Sequence, residues 1–401
     1  MFKGVPLHGF FRTLVLVAFF ACFGPLSGAD FRWGGSIRGY QFFRVEDLAG
    51  DQRRDAELAI ARLTGRLGLA GSWRFEGHGT LTFLSPPAAG VASLADARGS
   101  EFFKLQTMLA DGESATLLAA FDRLNLQGDV GSARLAVGRQ SITWGVNHFW
   151  PSLDLFSPFA PQRIDRDYKP GVDAVRLILP LGPFSQVEAV GAILGSSRSR
   201  DGALGVLTRF HLGRVDAGLM AGSFHRDRVA GAFFTSDIGG TGFRGEAAWT
   251  ESADPEDRLR DRRRFWRGSI GVDRMLTPHV TLTLEALWNG YGMSEPADYL
   301  QLIEADRVLR GEVNALGRYY AGASIGWQMH PLWTLNHAVL INGGDPSALW
   351  IPSASWSTSN ETELLFGAQV GIGRGLEREA IPRSEYGAVP FSLFLSFKGY
   401  F

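Results

Sequence analysis

The last stretch of the chain, 389–401, constrains the fold most. Val389, Phe391, Leu393, Leu395, Phe397 and Phe401 fall on one face when every second residue is read. Ser392, Ser396, Lys398 and Tyr400 fall on the other, with Phe394 as an exception. A period of two marks a strand with one apolar and one mixed face. The same period recurs. Leu63 and Leu67 alternate with Arg62, Thr64 and Arg66; Val187 and Ala189 with Gln186 and Glu188; Leu204, Val206, Phe210 and Leu212 with Arg209 and His211. Val280, Leu282, Leu284 and Trp288 alternate with Thr281, Thr283, Glu285 and Asn289. Trp288, Trp327 and Trp333 lie near strand ends, where interfacial aromatic girdles belong. A sandwich with a buried edge strand would accept the last segment alone. The whole set suits a closed antiparallel transmembrane β-barrel, in which every backbone group pairs within the sheet.

The N-terminus reads as a secretory signal. Lys3 and Arg12 carry positive charge, Leu14 to Phe23 is apolar, and Ser27-Gly28-Ala29 offers small residues for cleavage. Residues 1–29 are the expected signal peptide and 30–401 a single barrel domain. Cys22, the only cysteine, leaves with the signal; a lipidated Cys22 is the alternative, disfavoured by Phe19 and Phe20. The mature chain then has no disulfide, thiolate metal site or covalent haem. Losing Lys3 and Arg12 moves the net charge from −1 to −3, which argues against nucleic acid as a partner. Lysine is confined to Lys3, Lys104, Lys169 and Lys398, so nearly all the positive charge is arginine.

Connections alternate between tight turns, such as Gly71-Ser72 and Gly213-Arg214, and long segments near 45–55, 85–113, 144–170, 252–263, 291–317 and 373–386. Short inner turns and long outer loops are the barrel pattern. The first strand, near 31–44, rises and the last must descend, so the count is even. That parity requires two weak strands, Val229 to Asp237 and Ala348 to Trp356, and gives about 18 strands, with 16 as the alternative. Two outer loops read as helical. Ser294 caps one helix, with Pro296 in its first turn and Gly311 or Gly317 at its end. Residues 100–110, with Phe102, Phe103, Leu105, Met108 and Leu109, form the second candidate.

The densest stretch starts at Gly138-Arg139-Gln140-Ser141-Ile142-Thr143-Trp144-Gly145 and continues through Asp154-Leu155-Phe156-Ser157-Pro158-Phe159 to Pro170-Gly171-Val172-Asp173-Ala174-Val175. A loop so long and so rich in apolar residues should fold against the wall or into the lumen. His148, Asp154, Asp165, Arg166, Asp167 and Lys169 are its candidate functional residues. They form either an ion-pair cluster that pins the loop or a constriction that filters solutes. These motifs resemble those of uncharacterised Gram-negative outer-membrane barrels, similar in layout to alginate-export-type porins. A chain ending on Phe401 likewise resembles the closing strand of such barrels, where that end is an insertion signal. The resemblance implies an 18-stranded barrel, outer-membrane lipid and the barrel-insertion machinery as partners, and an arginine-lined lumen for anionic polymers.

Gly322-Ala323-Ser324-Ile325-Gly326 matches a nucleophile-elbow pattern, but it lies in an alternating strand and not at a strand-to-helix turn. Gly371-Ile372-Gly373-Arg374-Gly375 precedes no helix. No enzyme and no cofactor is expected. Alternation points Arg62, Arg66, Arg176, Glu188, Arg209, Arg267, Asp273, Glu285 and Lys398 inward. Excess arginine in a narrow lumen raises local anion concentration. The leading expectation is therefore a pore for passive passage of small or polymeric anions. The alternative is a barrel that sheathes or docks a partner protein.

Overall fold

The computed structural model describes residues 30–44, 55–85, 103, 105–112, 114–164, 166–194, 202–252, 262–376 and 382–401. The expected signal peptide, with Cys22, lies outside the described residues, as does Asp165.

The chain forms β1 (Phe31–Arg44), β2 (Ala56–Gly68), β3 (Arg74–Ser85), β4 (Gln106–Asp111), β5 (Thr116–Val130), β6 (Ala133–Gln140), β7 (Val172–Pro180), β8 (Gln186–Ile193) and β9 (Gly202–Leu212). It continues as β10 (Val215–Phe224), β11 (Asp227–Ile238), β12 (Thr241–Glu251), β13 (Arg264–Thr277), β14 (Val280–Asn289), β15 (Tyr319–His330), β16 (Trp333–Asn342), β17 (Ser347–Ser357), β18 (Thr362–Ile372) and β19 (Ser392–Tyr400). Neighbours pair antiparallel, and β19 pairs with β1 from Ser36↔Tyr400 to Arg44↔Ser392, which closes the sheet. β4 and β6 pair with successive parts of the same edge of β5, so they share one position, and the circuit is a closed barrel of 18 strands. The two strands demanded by parity are β11 and β17. Between β11 and β12, Gly239 and Gly240 take φ of 62° and 75°, the left-handed pair that a two-residue hairpin turn requires.

Two expectations need correction. Within the 100–110 segment the described residues from Gln106 onward form strand, not helix: Gln106–Asp111 pairs with β5 from Gln106↔Ala120 to Asp111↔Thr116. The apolar spacing there fits either element, and the unpaired edge of β5 settles it by supplying a ladder. The long helix expected after Ser294 is broken into α1 (Tyr299–Ile303) and α2 (Asp306–Leu309), because Ala305 between them is extended, at ψ 139°. Gly311, at φ 73°, ends the second piece.

The faces separate cleanly. Leu204, Leu219, Trp266, Ile270, Leu284, Trp288 and Trp327 are exposed on one face of the sheet. Arg62, Glu188, Glu246, Ser269, Glu285 and Lys398 are buried on the other, under the 141–171 segment between β6 and β7. That segment touches the wall at β8, β12–β15, β18, β19, β1–β3 and β5. Wrapping the outside would take roughly 140 Å for a barrel of this strand number, against about 105 Å for the segment fully extended. The segment therefore lies inside, and the face it covers is the lumen wall.

One irregularity matters for the site. In the β3–β5 ladder, His78 pairs with Arg123 and Gly79 with Phe121, leaving Asp122 without a partner residue. The bulge turns two consecutive side chains, Asp122 and Arg123, toward the lumen.

Candidate functional site

The inner loop starts with apolar anchors. Ile142, Trp144, Leu153, Leu155 and Phe156 pack with Val190, Leu207, Met220, Phe224, Val229 and Phe233 of the wall in one buried cluster. Trp144 meets Phe156 edge-on at 4.9 Å between ring centroids. Each fully buried side chain of this size contributes about 1.5–3 kcal/mol. The wall makes room with glycine. A Cβ on Gly205 would lie 2.7 Å from Trp144 Cη2, one on Gly231 2.4 Å from Leu153 Cδ2, and one on Gly322 2.8 Å from Phe149 Cδ2.

Three wall carboxylates then hold the loop. Trp144 Nε1–H donates to Glu188 Oε1 at 2.8 Å, and Arg176 and Arg209 donate to the same carboxylate at 2.9 and 3.0 Å. Glu246 accepts the N–H groups of Val146 and Ser152 at 3.2 and 2.8 Å. Glu285 accepts three, from His148, Phe149 and Trp150, at 2.9, 3.0 and 2.7 Å. Backbone donors here do the solvating that water does elsewhere, and hydrogen bonds to a charged acceptor are the stronger kind. Ser269 on β13 adds a relay, accepting from Asn147 Nδ2 at 2.6 Å and donating to Trp150 O at 2.8 Å.

The second half of the loop is held by cations. Asp167 pairs with Lys398 at 2.9 Å and Arg38 at 3.6 Å, and accepts the Tyr400 hydroxyl at 3.2 Å. The Tyr168 ring is covered by the guanidiniums of Arg62, 3.9 Å from its centroid, and Arg38, at 4.7 Å. Arg123, delivered by the bulge, donates to Lys169 O at 2.5 Å. Lys169 folds back on Asp154 and Thr143 within the loop. Arg166 donates to the carbonyls of Pro161, Arg163 and His148. Burial first, then the charges of Arg244 and Arg166, holds the His148 imidazole below its ordinary value.

The residues singled out from sequence are thus placed on two sides of one contact. His148, Asp154, Arg166, Asp167 and Lys169 belong to the inner loop. Glu188, Glu285 and Lys398 touch it from the wall. The cations Arg62, Arg66, Arg176, Arg209 and Arg267 each meet an acid: Asp122, Glu76, Glu188 for both Arg176 and Arg209, and Glu312. Sequence reasoning missed Arg38, Glu246, Tyr168 and Arg123. Strand alternation would have found Glu246 and Arg38. Arg123 was hidden because the bulge reverses the alternation at that point. Ser324 lies within β15, away from any strand-to-helix turn.

The 291–317 segment reaches the wall at β11, β13, β14 and β16. Arg307 reaches Asp227 on β11 at 2.6 Å, and Glu312 reaches Arg267 on β13 at 3.6 Å. Residues 313–315 face Phe149 and Trp150 across a half-open cleft.

A scan against protein-family models gives no match, and a search of curated proteins gives none. Solved structures do match. Acinetobacter baumannii OccAB1 superposes with a TM-score of 0.59 at 10% identity, covering 93% of this chain and 96% of that one. Pseudomonas aeruginosa OccK8 (OprE) gives 0.57 at 10% identity, covering 93% and 98%. OccK11 (OpdR) of the same organism gives 0.57 at 9% identity, covering 92% and 96%. The shared feature is the closed 18-strand antiparallel barrel.

Proposed function

We propose that this chain is an outer-membrane pore for passive passage of solutes, narrowed by the 141–171 loop and favouring anions. The observation that carries the reading is the loop itself, fixed inside a closed barrel by wall groups around its circumference. The solved barrels of this fold are outer-membrane porins, which supports the assignment of class and place. The apolar outer face suits lipid, and delivery would need the signal at residues 1–29 and the insertion machinery acting through the strand that ends at Phe401.

The anion preference rests on charge placement. Arg38, Arg62, Arg123 and Lys398 come together on the arc formed by β1, β2, β5 and β19. On the opposite arc, Glu246 and Glu285 are turned into the loop's N–H groups and Glu188 is shared by two arginines. The acids are consumed in holding the loop, and the field that reaches the aqueous path is that of the cations, weakened by Asp122 and Asp167. Preference, not strict exclusion of cations, is the expected result. The likeness in layout to alginate-export-type porins extends the proposal to anionic polymers. A loop crossing the lumen is at odds with a sheath for a partner protein. The test is the reversal potential under a salt gradient in planar bilayers. Anion preference supports the proposal; cation preference or no conductance overturns it.

A further inference from the structure

Four aromatic side chains mark the lipid interface on one arc of the barrel. Trp249 on β12 pairs with Trp266 on β13, Gly268 pairs with Trp288 on β14, and Trp288 pairs with Tyr319 on β15. Trp266, Trp288 and Tyr319 are exposed. Paired side chains share a face of the sheet, so all four lie on the outer surface. The next outward position, toward the long connections 252–263 and 291–317, holds charge instead. Arg228 on β11 pairs with Glu251 on β12, and Glu251 with Arg264 on β13.

This triad is uneven. Arg264 Nε donates to Glu251 Oε1 at 2.7 Å, whereas Arg228 stands 3.8 Å from Oε2, beyond hydrogen-bond reach. The side chains of Arg228 and Arg264 are 76% and 74% exposed, and that of Glu251 is 22% exposed. Two cations thus face outward around one acid that is largely covered, which leaves positive charge in excess. Exposed Arg226 adds a further cation at the tip of the β10–β11 hairpin. It and His225 hold φ of 70° and 47°, positions that a two-residue turn ordinarily gives to glycine or asparagine. Elsewhere along the same rim, the outward residues at the ends of β8, β16 and β18 are Ile193, Ile341 and Ile372, all exposed and apolar. Ion pairs at such exposure contribute little to stability, so folding alone does not account for the charges.

Height decides the ligand. Long connections lie at the outer end of a membrane barrel, and an aromatic girdle sits at headgroup level. Cations one outward position above such a girdle stand beside lipid headgroups, not beside acyl chains and not in the lumen. A guanidinium matches phosphate in a forked geometry. We propose that Arg228 and Arg264 clamp a phosphate of an outer-leaflet lipid headgroup, with Trp249 and Trp266 packed along the lipid below it. The clamp rests on the outer-membrane placement given above and is independent of conductance.

The test uses the whole barrel in detergent, with lipid A, a diglucosamine lipid that carries two phosphates, as the probe. Arg228→Gln and Arg264→Gln should each weaken lipid A binding about fivefold and together about 25-fold, the same factor by which the wild type should prefer lipid A to its dephosphorylated form. Glu251→Gln removes the competing acid and should tighten binding, which a merely structural triad would not do. Arg134→Gln, at the exposed Arg134–Asp129 pair of the β5–β6 turn, should change nothing. Equal binding of the two lipids overturns the clamp. So does displacement of lipid A by millimolar inorganic phosphate, which would mark a site for free anions. Weakening by Glu251→Gln as large as that of the arginine variants overturns it too. Conductance without lipid selectivity overturns the clamp and leaves the pore; lipid selectivity without conductance overturns the pore and leaves the clamp.

Discussion

Arg139 and Asp173 are cross-strand partners at the neck of the inner loop, joined by two hydrogen bonds of 2.9 Å and almost fully buried. One lies where the chain leaves the wall and the other where it returns. The same guanidinium donates to the carbonyls of Phe121 and Phe103, and the Phe103 N–H donates to Asp173 Oδ2 at 3.1 Å. The two sequence motifs that flank the loop are therefore one structural unit.

Removing one partner leaves a buried charge uncompensated. Arg139→Ala should cost about 3–5 kcal/mol of stability. Replacing both residues by leucine should cost less than either single change, because no charge is then stranded. Unfolding in denaturant from detergent micelles checks the order. A single variant as stable as the wild type contradicts the role given to the pair.

Glu285 is the acceptor for three consecutive loop N–H groups. Glu285→Ala should therefore loosen the 146–152 portion, at about 2–4 kcal/mol of local stability, and raise single-channel conductance. Glu285→Gln keeps one carbonyl acceptor and should lose less. Exchange protection of the 146–152 peptide reads the effect directly.

Gly205 accommodates Trp144. Gly205→Val should push the indole off its seat, at about 1–3 kcal/mol, with a change in tryptophan emission. On a Trp144→Ala background Gly205→Val should cost much less than in the wild type, since the collision disappears with the ring. An equal cost on both backgrounds would show that Gly205 matters for another reason.

Most of the frame was legible in the residues. The alternation of β14 and β9 could be read directly, and the parity of the barrel located β11 and β17, whose own patterns are weak. The inner loop announced itself by length and apolar content. Its fastenings did not, because they are backbone N–H groups meeting wall acids far away in the chain, as with His148 and Glu285. Arg123 was lost for a sharper reason: a single extra residue in β5 reverses the facing of everything after it. The 100–110 segment was misread because its apolar spacing serves a helix and a strand equally, and only the free edge of β5 distinguishes them.

His148 supplies a pH prediction with a definite sign. Its folded value lies below the ordinary 6.5, so the folded state binds fewer protons than the unfolded one as pH falls past that point. The loop's stability is complete above about pH 6.5 and declines on acidification. Exchange of the 144–152 peptide should be slower at pH 7.5 than at pH 5 after correction for intrinsic rate. His148→Gln should flatten that difference.

The central claim is that residues 141–171 stand in the path of flow. Phe159 lies on the loop and lines the cleft that faces residues 312–315, and residues 30–401 contain no cysteine. Phe159→Cys in that chain therefore carries a unique thiol. Recording single-channel current while a bulky thiol reagent is added tests the claim directly. A stepwise fall in conductance on labelling is the expected result. Complete labelling with unchanged conductance would contradict it.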